Sequence, residues 1–168
     1  MIAYIWYQGM EGGDVLNYPK ADLGKRFVAA LIDGVIAGIL TVLIPILGGL
    51  LGAAYTLTKD ALMFQLTKDA QWKNRSIGKK LMSLQVVNLG GGDVDMTVSI
   101  KRNATLSIGS LLAAIPLAGW VLSPTVGGII GIIEVVLVFT DPAGRRLGDK
   151  WANTQVVGAP EPQPSAGS

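Results

Sequence analysis

The 168-residue sequence contains no cysteine and no histidine. The first absence excludes disulfides and thiolate chemistry. The second removes the commonest general base and metal ligand. Charge is scarce too, at 15% of residues, where an ordinary soluble domain carries about a quarter. The formal charge of +2 is too small to point to nucleic acid. No metal-ligand spacing and no phosphate-cradling glycine loop occurs, so neither an enzyme nor a cofactor is expected. What is present is apolar: half of the residues are hydrophobic and the mean hydropathy is +0.46.

The apolar residues lie in four blocks, at about 27–44, 47–66, 104–121 and 125–140. A membrane-spanning helix needs about 20 residues, with about 17 as the practical minimum, so each block is close to the limit. Pro45, Gly48 and Gly49 divide the first pair, and Trp120, Ser123 and Pro124 the second. The expected fold is therefore an all-α membrane protein, a four-helix transmembrane bundle made of two hairpins. The alternative is two long, broken helices and two spans. Thirteen of the fourteen basic residues lie before the first block, between the second and third, or after the fourth. The positive-inside rule then places both termini and the central loop in the cytoplasm. Residues 1–20 form an N-terminal cytoplasmic segment, whose first seven residues alternate like a short strand and do not resemble a signal peptide. Residues 21–157 form the membrane domain, and 158–168, rich in Pro, Gly and Ser, a disordered tail.

The chain repeats itself. Residues 75–87 align without gaps on 145–157, at an offset of 70, with six of thirteen positions identical. Each copy follows a hydrophobic hairpin entered through Lys25-Arg26 or Lys101-Arg102. Two-span units of this kind have parallel topology and relate by a pseudo-twofold axis along the membrane normal. Ile77, Leu81 and Leu84 share a helical face, with Arg75, Lys79 and Lys80 available to lipid headgroups, which reads as a short interfacial helix. Residues 85–87 and 155–157 read as matching strands of a small cytoplasmic β element. Gly90, Gly91 and Gly92 suggest a further hairpin through residues 93–98.

Asp33, Lys59, Asp60 and Glu134 fall inside apolar blocks, where each costs about 2.5–3.5 kcal/mol to insert. Counting at 1.5 Å per residue puts the three acids roughly 10 Å inside the cytoplasmic boundary, in one layer on three helices. Asp60 and Glu134 hold comparable places in the two halves. Arg26, Ala30, Asp33 and Ala37 share one face of the first helix. Glycines four apart occur at Gly34 and Gly38, Gly48 and Gly52, and Gly127 and Gly131, spacings that serve internal packing or a homodimer. Two functions fit the acid layer. It is either a cation and proton site, binding Na⁺ or K⁺ in exchange for H⁺, or a structural ion-pair network in which Arg26, Lys59 and Arg102 neutralise Asp33, Asp60 and Glu134.

Three segments in order carry a family resemblance. GKRFVAALID at 24–33, SIGKKLMSLQVV at 76–87, and RLGD at 146–149 with TQVV at 154–157 together resemble the RDD family of bacterial and archaeal membrane proteins. The resemblance covers about residues 18–157. It implies a multi-pass protein of the plasma (inner) membrane, with Arg26 as the family arginine and Asp33 and Asp149 as its two aspartates. Some members are associated with Na⁺(Li⁺, K⁺)/H⁺ antiport, which makes monovalent cation/proton antiport the first functional expectation. A non-transporting scaffold or accessory subunit is the second. Gly148 stands where the family often has histidine, so no role of that histidine carries over. Asp149 aligns with Lys79 across the repeat, an acid over a base, and is expected either to close on a base from the other half or to cap a juxtamembrane turn.

Overall fold

A computed structural model describes residues 18–43, 47–115 and 117–159. The expected strand at 1–7 and the tail from residue 160 onward lie outside the described residues. In chain order the elements are α1 (Leu23–Leu43), α2 (Leu47–Thr67), a 3-10 turn (Ala70–Trp72), α3 (Ile77–Leu81), β1 (Leu84–Asn88), α4 (Met96–Ala113), α5 (Ala118–Thr140), α6 (Leu147–Trp151) and β2 (Thr154–Gly158). Local chemistry sets the helix starts: Asp22 Oδ1 accepts from the Lys25 amide at 2.7 Å and Asp95 Oδ1 from the Val98 amide at 2.8 Å, each satisfying an otherwise orphaned donor.

The protein is mostly helical. α2 packs between α1 and α4, and α5 packs on the far side of α4. The two flanking helices are long and apolar enough to cross a membrane, with mean hydropathies of 2.0 over Leu23–Leu43 and 2.2 over Gly119–Thr140. Little of either is buried. Leu31, Val35 and Ile39 on α1, and Ile129, Ile132 and Val136 on α5, are all exposed. The inner helices carry the polar residues instead: Thr56, Lys59 and Asp60 on α2, and Ser99, Arg102, Asn103 and Ser107 on α4, are buried. A body that is polar inside and apolar outside is built for a hydrocarbon solvent.

The repeat is real in conformation. Ser76 and Arg146 hold the same extended N-cap geometry, and α3 and α6 are both five-residue helices. Positive φ occurs at Asn74 (59°) and Gly144 (67°), and again at Ser83 (53°) and Asn153 (51°), both pairs 70 residues apart. β1 and β2 pair antiparallel, with Val86 opposite Val156, Gln85 opposite Val157 and Val87 opposite Gln155. Each residue is thus matched to its own repeat equivalent or exchanged with its neighbour's, as a local twofold through the central pair requires. Val86 and Val157 are fully buried, and Leu84 and Val156 nearly so.

Several expectations need correction. The third helix starts at Met96 instead of 104, because its first two turns carry Ser99, Arg102 and Asn103 on their inward face, where a hydropathy average misreads them. The second turn lies at 114–117, and α5 runs straight through Pro124, whose missing N–H leaves the Trp120 carbonyl without its helical donor. Residues 93–98 form no hairpin, since Asp95 caps α4. Leu84 opens β1 and is not on α3. On α1 the buried face is Arg26, Ala29 and Asp33, whereas Ala30 is exposed. Gly158 belongs to β2, and Ala159 donates to the Ser83 carbonyl at 2.8 Å, so the ordered chain runs past the expected start of the tail.

Candidate functional site

α3 and α6 each lie flush on the opening helix of their own half, and glycine makes this possible. A Cβ at Gly78 would collide with the carbonyl of Ala29, and one at Gly148 with the carbonyl of Arg102. This close approach carries the side chains of α3 and α6 in among those of the long helices.

Asp33 on α1 receives the N-terminus of α3. Its Oδ1 accepts from the Gly78 amide at 2.9 Å and Tyr55 hydroxyl at 3.3 Å, and its Oδ2 from the Ser76 hydroxyl at 2.6 Å. Lys59 Nζ lies 3.5 Å and Lys79 Nζ 3.9 Å from Asp33 Oδ2. Asp60 on α2 accepts from Lys79 Nζ at 2.7 Å and from Asn103 Nδ2 at 2.9 Å, with Arg102 Nη1 3.1 Å away. That last contact is an ion pair outside hydrogen-bond geometry, since Arg102 Nη1 makes no hydrogen bond.

Asp149 on α6 is fully buried. Oδ1 accepts from Arg102 Nη2 at 2.6 Å and Nε at 3.2 Å, and from Arg146 Nε at 3.4 Å. Oδ2 accepts from Arg26 Nη2 at 3.4 Å and from the Arg146 amide at 3.3 Å, closing a capping box on α6. Arg26 Nη1 also donates to the Gly144 carbonyl. The result is one chain of alternating charge, Lys79, Asp60, Arg102, Asp149 and Arg26, spanning both halves of the sequence. Glu134 stands beside it. Its Oε2 accepts from the Leu147 amide at 2.9 Å and its Oε1 from the Thr105 hydroxyl. Glu134 therefore does for α6 what Asp33 does for α3, and is the counterpart of Asp33 more than of Asp60.

The structure thus brings Asp33, Asp60, Lys59, Arg102, Arg26 and Asp149 together, with the pairing redistributed. Lys59 faces Asp33, Arg102 joins Asp60 to Asp149, and Arg26 turns to Asp149; among the described residues no ion pair reaches Glu134. Lys79 is not a headgroup ligand, because it is buried against Asp60, and Lys80 Nζ sits 3.7 Å over the Trp72 ring. Sequence reasoning missed Lys79, Arg146, Ser76 and Asn103 as members of the network. The alignment of Lys79 with Asp149 was the available signal.

The network differs in how much each acid carries. Asp60→Asn should cost about 3–5 kcal/mol, because it strips charge compensation from two buried bases. Glu134→Gln should cost about 1 kcal/mol or less, because two neutral donors retain an acceptor. Denaturant unfolding in detergent micelles will rank them, and equal losses would refute the assigned partners. Asp149 also sets an acid limit. Burial alone would raise its pKa, but the guanidiniums of Arg102, Arg146 and Arg26 hold it down at about 2. Its stabilising contribution is complete above the ordinary aspartate value of about 3.9 and disappears as pH falls through about 2. An acid melt of wild type against Asp149→Asn should show the two curves converging across that window.

Apolar outer helices around a buried ionic core define an integral membrane protein. The chain belongs to the RDD family, whose model matches residues 20–153. Comparison with curated proteins and with solved structures gave no match. By the resemblance drawn from its motifs, the family arginine and second aspartate are Arg26 and Asp149, which meet at 3.4 Å. The first aspartate, Asp33, joins the same network through Lys79.

Proposed function

We propose that the protein crosses the membrane four times, through α1, α2, α4 and α5, and works as a non-transporting scaffold or accessory subunit. On this reading its intramembrane charges form a clasp between two parallel-topology hairpins. α3, α6, the β1–β2 pair and both termini face the cytoplasm, where the basic residues are concentrated. The observation that carries the reading is the state of the acids. Asp33, Asp60 and Asp149 each lie beside two or more cations, so no carboxylate among them is left open to a mobile Na⁺ or K⁺. At 1.5 Å per residue α4 is only ~27 Å long, and a membrane around it must be thinned or its polar first turns must reach the interface.

A second reading rests on Glu134, which lines the cavity between α1 and α5 and has no basic partner among the described residues. A homodimer exchanging a monovalent cation for a proton would use this group. Purified protein in proteoliposomes loaded with a pH-sensitive dye distinguishes the two. The scaffold reading expects no Na⁺- or K⁺-dependent proton movement and a stoichiometric partner retained in mild detergent. Cation-stimulated flux that vanishes in Glu134→Gln overturns it in favour of exchange.

A further inference from the structure

α1 and α5 flank the inner helices but are not packed on each other, and the gap between them is a cavity of about 560 Å³. Its walls are apolar and its surfaces small: Ala30, Gly34 and Gly38 on one side, Gly131, Val135 and Val138 on the other. A Cβ built at Gly34, Gly38 or Gly131 meets nothing within 4 Å. These glycines therefore face open space, and the expectation that Gly34 and Gly38 serve internal packing is corrected. From Arg26 to Val42 the α1 wall runs ~24 Å, about the length of an extended acyl chain.

The inner end of this cavity is charged, and unevenly so. Arg26, Lys59, Lys79, Arg102 and Arg146 line it, against two acids, Asp33 and Glu134. Asp60 and Asp149, which compensate most of these bases, lie behind them and do not line the cavity. One of the cations is incompletely satisfied: Lys59 Nζ is 3.5 Å from its acid, beyond the roughly 2.7–3.2 Å of a good hydrogen bond.

We propose that this groove holds one anionic phospholipid of the bilayer, with its phosphate at the basic end against Lys59 and an acyl chain between α1 and α5. A positive pocket repels the monovalent cations considered for the acid layer and attracts a phosphate, for which guanidinium is a matched partner. The apolar walls beyond the charge have no use in binding free phosphate. The outer faces of α1 and α5 in a second copy are apolar, since the one acid on each helix, Asp33 or Glu134, is buried, and they offer no anion to the basic end of the groove. The proposal rests on the chain being embedded in a bilayer.

The test uses the full chain purified in mild detergent, titrated with dioleoylphosphatidylglycerol, dioleoylphosphatidylcholine or inorganic phosphate and read by native mass spectrometry. One phosphatidylglycerol should be retained per chain, with about fivefold preference over phosphatidylcholine, since one basic group near an anionic headgroup contributes about a factor of five. Lys59→Met should remove most of that preference. Because that variant disturbs the ion network, Gly38→Phe provides the independent check. It fills the groove far from the charges, and should abolish lipid retention while leaving the melting temperature in place. Equal retention of the two lipids overturns the proposal, as does displacement of the lipid by inorganic phosphate. So does a Gly38→Phe chain that changes oligomeric state while still holding lipid. Alkaline carbonate extraction of cell membranes separates the premises: a protein released by carbonate refutes the membrane reading itself, whereas a retained protein without headgroup preference refutes this site alone.

Discussion

Asp149→Ala will destabilise the protein by about 3–5 kcal/mol, the cost of leaving buried charges without their counter-ion. Few single changes should cost more. The carboxylate, itself fully buried, compensates three guanidiniums, those of Arg102, Arg146 and Arg26, and it also caps α6. Removing it leaves Arg102 with Asp60 alone. Adding Arg102→Met to the same chain should restore part of the loss, because a buried base and acid removed together leave less charge stranded than either removed alone. Thermal or denaturant unfolding in one detergent measures both variants. A single mutant within about 1 kcal/mol of wild type would mean that Asp149 is solvated in the native protein, contrary to its complete burial.

The second large effect comes from a residue with no side chain. Gly148→Ala should cost about 3 kcal/mol, the upper end of overpacking, because the new methyl would fall on the backbone carbonyl of Arg102. A carbonyl inside a helix cannot rotate away as a side chain can, so α6 must lift from α4. That movement draws Asp149 off Arg102, and the variant should show loosening of the ion network as well as lost stability. Gly131→Ala is the control. Its added carbon meets nothing within 4 Å, and replacing a helical glycine by alanine in open space gains about 0.5–1 kcal/mol. Equal destabilisation by both substitutions would argue against the close approach. In this chain nothing larger than glycine fits between α6 and α4.

Much of this was legible beforehand, for identifiable reasons. α2 was read to within a residue, because Pro45 and the charged residues beyond Thr67 bound it sharply. The repeat was legible because 75–87 and 145–157 demand the same local conformation, down to the left-handed residues beside each short helix. The buried acids were found because an ionisable group among apolar neighbours has no other economical explanation. α4 was misread because its inward face is polar, and hydropathy along a chain averages inward and outward faces together. Which base serves which acid was also out of reach. That choice is set by how far α3 and α6 sink between the long helices, a distance fixed by Gly78 and Gly148 and by no charge pattern. From sequence alone Lys79 falls at the membrane surface, although its repeat equivalent, Asp149, is expected to reach across to the other half.

Because Val86 lies against Val156, its own counterpart, a half-length chain would pair through this edge with another copy of itself. Such a homodimer would have to bear the same residue at both equivalent positions, lysine twice or aspartate twice. Joined in one polypeptide, such copies are free to differ, and here one half presents a base, Lys79, and the other an acid, Asp149. The asymmetric charge chain through Asp60 and Arg102 is a property that duplication followed by fusion permits and that symmetry would have forbidden.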